Sequence, residues 1–259
     1  MNSWRFITLE SYDGYWNMAL DEAILQSVIE KKSPNTIRLY KWSPSTVSIG
    51  RNQSLIDEVD LEFIEKNQFN VVRRITGGGA VFHDEYREIT YSIVCPLTFL
   101  EKLDAKSVME QFEIIEMGVI SGLQFYGLKP EKGIIHCPAI FLDSKKFSGN
   151  AQLRRKRHIL QHGTILLDLD AQLMYSALKA PHNVSKSRMV RSVYSKCTGI
   201  KEYLESYNEQ YFISSLKKGF ETTLQITSKE DSFTENELRL AEKLVKTKYR
   251  NNNWLRKYE

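Results

Sequence analysis

The sequence predicts an α+β fold, a largely antiparallel mixed sheet flanked by helices, in one domain spanning residues 1–259. Three observations carry this. Strand-like and helix-like segments are interspersed without the strict alternation of a parallel α/β fold. Several strand-like runs are joined by short turns, which implies hairpins. No Pro/Gly/Ser-rich linker divides the chain.

The elements follow in order. WRFITL reads as a strand. YWNMALDEAILQSVIEKK puts Met18, Ala19, Ala23, Ile24 and Val28 on one face of an amphipathic helix. TIRLYKW and TVSIG are β-branched and aromatic, hence strands, with the turn SPS between them. DLEFIEKN is a short helix, NVVRR a strand, and ITYSIVCP the strand after a glycine run. AKSVMEQFEIIEMGVISGLQFYG is a long helix ending near Gly127. AIFLD, SKKFSGNAQLRR and HILQHGTILLD are consecutive strands, with DSKK as a hairpin turn. The remainder is mostly helical, through AQLMYSALK, IKEYLES, EQYFISSLKKGFETTL and ENELRLAEKLVKTKY. The basic stretch 179–196 is expected to be a loop.

At 42% hydrophobic and 26% charged over 259 residues, the composition is globular and sufficient for a full core. A formal net charge of +4 is too small to indicate nucleic-acid binding, and it suits acidic partners. No apolar run approaches the roughly 20 residues of a membrane span. The opening MNSWRFITLE lacks a signal-peptide core. With only Cys95, Cys137 and Cys197, an odd and low number, the expectation is a reduced, cytoplasmic protein without a membrane partner.

The stretch VVRRITGGGAVFHD, residues 71–84, asks the main question. Each glycine gives up more backbone entropy on folding than any other residue, so consecutive glycines cost stability unless something requires them. Gly77, Gly78 and Gly79 let backbone amides approach a ligand, and successive N–H groups in a tight turn form an anion-binding concavity. Arg73 or Arg74 can pair with a carboxylate or phosphate, and His83 closes the loop. Asp84 reads equally well as a turn residue bonded to its own backbone. The run fits neither the dinucleotide-binding pattern nor the P-loop.

RRITGGGAVFHD resembles the signature of the lipoate-protein ligase and octanoyltransferase family, related to the biotin protein ligases. WNMALDEAIL, SIGRNQ (48–53), KKFSGNAQLRR (145–155), LQHGTILLDLD (160–170) and AEKLVKTKYRNNNWL follow in that family's order. The resemblance implies a biotin/lipoate protein ligase type of catalytic domain without a C-terminal accessory domain. It also implies transfer of a lipoyl or octanoyl group to a lysine of a lipoyl domain. The position matching the family's reactive lysine is Lys146, a catalytic candidate that stabilises the reacting carbonyl. Gly149 and Ala151 are small, as expected where ligand and backbone approach. His162, in an apolar strand, is a packing or orienting residue. No GRGR-type loop points to a biotin ligase.

The family contains two chemistries. Octanoyltransferases take octanoate from its acyl carrier protein thioester through an acyl-cysteine, and no cofactor is needed. The resemblance puts Cys137 in that nucleophile's place, and a thiolate suits attack on a thioester. Thr90-Tyr91-Ser92 also matches the transferases. The alternative is an ATP- and Mg²⁺-dependent ligase working through an acyl-adenylate, with Arg73, Arg74 and the glycine loop holding oxygens. GRNQ and GGGAVFHD are closer to that form. The transferase reading is preferred because its residues concern the chemical step. The implied partners are octanoyl-acyl carrier protein as donor and, as acceptor, the lipoyl domain of a 2-oxoacid dehydrogenase E2 or the glycine cleavage H protein. RRKRH (154–158) and the segment Lys186 to Lys196 would steer such acidic proteins. These clusters lack the interleaved aromatics of a nucleic-acid binder. A non-catalytic acyl-binding protein on the same fold is the remaining alternative.

Overall fold

The computed structural model describes residues 4–133 and 138–259. Its strands are β1 (Trp4–Tyr12), β2 (Thr36–Trp42), β3 (Thr46–Ile49), β4 (Asn70–Arg73), β5 (Val81–His83), β6 (Glu88–Pro96), β7 (Glu131–Lys132), β8 (Ala139–Leu142), β9 (Lys145–Arg155), β10 (His158–Leu166) and β11 (Ser228–Glu230). The helices are α1 (Gly14–Ile29), α2 (Leu55–Glu58), α3 (Leu61–Lys66), α4 (Leu97–Glu101), α5 (Val108–Phe125), α6 (Ala171–Ala177), α7 (Lys186–Lys196), α8 (Glu209–Leu224), α9 (Glu235–Leu244) and α10 (Asn252–Leu255).

Eight strands form the main sheet in the order β11-β1-β2-β6-β10-β9-β8-β7. From β2 to β7 every pairing is antiparallel, whereas β1 runs parallel to both β2 and β11. The mixed, largely antiparallel expectation holds. The β8–β9 and β9–β10 hairpins turn on two residues each, Asp143-Ser144 and Lys156-Arg157, all with positive φ. That backbone matches the right-handed twist of the strands. A second sheet, β4-β3-β5, carries the glycine loop between β4 and β5.

Strand alternation sends side chains to two cores. Ile37, Leu39, Ile89, Tyr91 and Ile93 pack under α5 and α8. Tyr40, Trp42, Val94 and Leu160 pack under α1 and the C-terminal helices. α5 and α8 approach very closely. A Cβ on Gly219 would lie 2.1 Å from the Gly122 nitrogen, which bars any larger residue there. Among the described residues no helix is long and apolar enough to cross a membrane.

Three expectations are corrected. The 179–196 segment contains a helix, α7, capped by Ser185, whose hydroxyl accepts from the Arg188 amide. Met189, Val190 and Val193 recur at helical spacing, and the surrounding cations hid that period. α1 is not buried on a single apolar face: Asn17, Asp21, Glu22 and Ser27 are buried with its apolar residues. The last long helix changes to a π-helical turn over Val245–Tyr249.

Candidate active site

A cavity of about 360 Å³ lies between β9 and β10 of the main sheet and the glycine loop of the small one. That is within the range of small-molecule sites, roughly 300–1,000 Å³. Trp42, Phe82, Leu166, Met174 and Leu178 give it apolar walls. Arg74, Gly78, Gly79, His83, Lys146, Gly149, Ala151 and His162, all singled out by sequence, line it together. Arg73 and Gly77 are not in the lining, and Cys137 lies outside the described residues.

The glycine run now has a physical account. Gly78 has φ +93°, a conformation that side chains resist. Its carbonyl packs where a Cβ on Gly50 would stand, only 1.9 Å away, so Gly50 of the SIGRNQ stretch and Gly78 require each other. Gly77 and Gly79 face open space.

Two parallel chains of carboxylate, histidine and hydroxyl brace this loop. In the first, Asp21 Oδ2 faces His162 Nδ1 at 3.2 Å, and His162 Nε2 meets Thr76 Oγ1 at 2.8 Å. Thr76 immediately precedes the glycines. In the second, Glu88 Oε1 meets His83 Nδ1 at 2.8 Å, and His83 Nε2 meets Ser48 Oγ at 2.8 Å. Ser48 then accepts from Arg74, through both its hydroxyl and its carbonyl. The other arm of the Arg74 guanidinium donates to the carbonyls of Gly77 and Gly79, each at 2.7 Å. His83 also stacks on Trp42, with ring centres 3.9 Å apart. The order of groups is that of a nucleophile triad. Both hydroxyls, however, are buried: Thr76 belongs to the loop itself and Ser48 accepts from Arg74, so the chains hold backbone in place.

Charge in these chains is set by burial and partners. Burial pushes the Asp21 carboxyl up, but hydrogen bonding from His162, the Arg38 guanidinium and the Ser92 hydroxyl outweigh it and hold the group below its usual range. Tyr40 donates to Asp21 as well, at 3.0 Å. Burial lowers His162 despite the Asp21 carboxylate, which keeps the ring neutral. Burial also lowers Arg74 to about 10, still fully charged at neutral pH.

Both arginines are held by groups of the protein itself. Adjacent residues leaving a strand point to opposite sides. Arg73 donates to the carbonyls of Trp254 and Leu255 and to those of Gly50 and Gln53, which ties β4 to the C-terminal helix. Arg74 braces the loop. Among the described residues there is no group of three or more His, Cys, Asp or Glu side chains that could hold a metal ion.

Lys146 sits at the opposite wall. Its side chain folds over Gly149, so that a Cβ there would lie 3.2 Å from Nζ. Cys197 lines the cavity beside it, bridged to Lys146 by backbone pairing. Burial raises the Cys197 thiol, while Lys146 and Lys196 pull it down. Cys95 is fully buried, and burial pushes its thiol far up, as an inert core cysteine should be. Within β9, Asn150 also lines the cavity and is fixed by side chains on either side: Tyr91 donates to its carbonyl, and its NH₂ donates to Glu116 at 2.6 Å. Burial, with Glu113 adding to it, pushes Glu116 up to about 7. Asp21, Glu116, Asn150 and Cys197 are not recognisable from the sequence as site residues. Only their polarity inside otherwise apolar elements hints at them.

Residues 13–221 match the lipoyl protein ligase A/B catalytic domain, and the chain belongs to that family. It is 37% identical to octanoyltransferase LipM of Brevibacillus brevis, covering 98% of this chain and 99% of that one. It is 33% identical to octanoyltransferase LipM of Bacillus subtilis, over 97% of each. Among solved structures, a bipartite lipoate protein ligase from Thermoplasma acidophilum superposes with a TM-score of 0.85 at 26% identity, covering 100% of this chain and 98% of that one. A lipoate-protein ligase A bound with ATP gives 0.84 at 26% identity, covering 100% of both.

Proposed function

We infer that this chain is an octanoyltransferase of protein lipoylation. We propose octanoyl-acyl carrier protein as its donor and a lipoyl domain, of a 2-oxoacid dehydrogenase E2 or a glycine cleavage H protein, as its acceptor. The observation that carries this reading is Lys146, laid over Gly149 at the wall of an apolar cavity, in a chain so similar to octanoyltransferases. The apolar walls suit an octanoyl chain, and the ammonium suits the carbonyl at its end.

In the proposed route the Cys137 thiolate attacks the thioester carbonyl. A new carbon–sulfur bond forms, and Lys146 offsets the negative charge that develops on oxygen. The carrier thiolate leaves and takes a proton from solvent. The amine of the acceptor lysine then attacks the acyl-cysteine, an amide forms, and the Cys137 thiolate is released as the amine loses its proton. Replacing Lys146 with Ala is expected to slow acylation by about 10²–10³-fold, the usual cost of removing one oxyanion partner. Lys146 is half-exposed, so folding should be unaffected.

The test is intact-protein mass spectrometry after incubation with octanoyl-acyl carrier protein and no ATP. A hydroxylamine-labile octanoyl adduct, mapped to Cys137 and absent from Cys137→Ala, supports the reading. An adduct on Cys197 moves the nucleophile to the thiol that lines the cavity beside Lys146. The ATP-dependent ligase is the second reading, favoured by the ATP-bound structure that superposes so closely. No adduct, with transfer only when ATP, Mg²⁺ and free octanoate or lipoate are supplied, would establish it instead.

A further inference from the structure

We propose that α7 is the docking face for the acyl donor, an acid-rich carrier protein that presents its thioester on a long arm. This rests on the transferase reading above. From Ala171 to Lys201 the chain carries Lys179, Lys186, Arg188, Arg191, Lys196 and Lys201 and no Asp or Glu. The same segment supplies Met174, Leu178 and Cys197 to the cavity wall. The positive surface and the cavity are therefore continuous.

α7 is built for contact with something outside the chain. None of its residues is buried. Among the described residues, Arg188, Arg191 and Lys196 make no ion pair and no side-chain hydrogen bond, whereas Lys186 bonds to Asp60 at 3.1 Å and anchors the helix start. Tyr194 stands exposed among the cations, the kind of rigid amphipathic anchor found at interface centres. The other basic run, RRKRH, has its arginines engaged within the chain. Arg155 pairs with Glu22, Arg157 pairs with Glu101, and Arg154 donates to Gln111. Along β9 it lies roughly 30 Å from Lys146, at about 3.3 Å per residue. The sequence named both runs as steering surfaces, and the structure leaves only α7 both unpaired and beside the cavity.

Reach decides between donor and acceptor. Lys196 adjoins the cavity, and Arg188 lies about 12 Å further along the helix, at 1.5 Å per residue. A carrier seated on this helix can still deliver its thioester through a long arm. A lipoyl-domain lysine has only a four-carbon stem, so its domain must sit on the opening itself.

The experiment compares the full chain with Arg188→Glu/Arg191→Glu using two donors, octanoyl-acyl carrier protein and octanoyl-N-acetylcysteamine thioester. The expected result is a KM for the carrier-borne donor raised about tenfold or more and made less sensitive to salt. The small thioester, kcat and the KM for the lipoyl domain should be unchanged, and Arg188→Lys/Arg191→Lys should behave as the parent. An unchanged carrier KM overturns the proposal. So does a rise confined to the lipoyl-domain KM, which would assign α7 to the acceptor. If the parent transfers from neither thioester, the transferase reading has failed. The docking face is then judged by equilibrium binding of the carrier to the same variants, where lost affinity supports it and unchanged affinity overturns it.

Discussion

The two carboxylate–histidine–hydroxyl chains around the glycine loop look alike but are not equivalent. Asp21 receives donors from Arg38, Tyr40, Ser92 and His162, so both of its oxygens are satisfied and the group is held ionised. Glu88 collects His83 and Thr90 on one oxygen, while the other is buried without a partner. Asp21 joins the loop to α1 and the main sheet, and Glu88 joins it through Arg74 to the small sheet. Glu116 behind β9 extends the contrast. Asn150 is its side-chain donor, and there burial prevails and raises the carboxyl to about 7. A buried acid stays charged when enough donors converge on it, whatever its depth.

The largest expected effect comes from breaking the better satisfied chain. Asp21→Asn strips the partner from Arg38, which is fully buried. A loss of about 3–5 kcal/mol in denaturant unfolding is expected, as when one member of a buried pair is removed. A loss below 1 kcal/mol would mean that Arg38 is balanced elsewhere.

Next is Glu116→Gln, with a pH signature. The folded pKa of about 7 lies above the unfolded value of 4.5. The native state therefore holds the proton longer, and the parent loses stability as pH rises from about 4.5 to 7. The loss approaches roughly 3 kcal/mol at 1.36 kcal/mol per unit. The variant should be the more stable protein at pH 8 by up to that amount, with the advantage gone below pH 4.5. Equal pH profiles would show that Glu116 ionises normally.

The smallest effects separate the two braces. Thr76→Val leaves His162 Nε2 without its partner, and Ser48→Ala does the same to His83. Each should cost about 1–2 kcal/mol, with Thr76→Ser restoring the first. The parent should also weaken as pH falls below about 6.5, because burial depresses His162 and the unfolded ring takes the proton first. If Thr76→Val raises the KM for donor and Ser48→Ala does not, the Asp21 chain is the one that sets the loop for binding.

Much of this site was legible in the sequence. Glycines in a row and small residues at Gly149 and Ala151 announced close backbone approach. What failed was direction. Arg73 and Arg74 are neighbours in a strand, and nothing local says which faces the cavity. α7 was hidden because its half-buried Met189, Val190 and Val193 are outnumbered by polar residues. β5 has only three residues and follows a loop. Asp21 carries no local signal, because a buried carboxyl is recognisable only by the donors that other elements bring to it.

Local sequence was enough to read six of the eight strands of the main sheet, β1, β2, β6, β8, β9 and β10, through apolar spacing and turn signals, and to single out the glycine run at Gly77 to Gly79. Tertiary structure alone decided which polar groups act together. His162, Asp21 and Thr76 come from β10, α1 and the loop, and Lys146 meets Cys197 across a separation of 51 residues. Local propensity encodes the elements, because neighbours along the chain set backbone preference. The charge and orientation of a site depend on groups that meet only when the sheets and helices close around them.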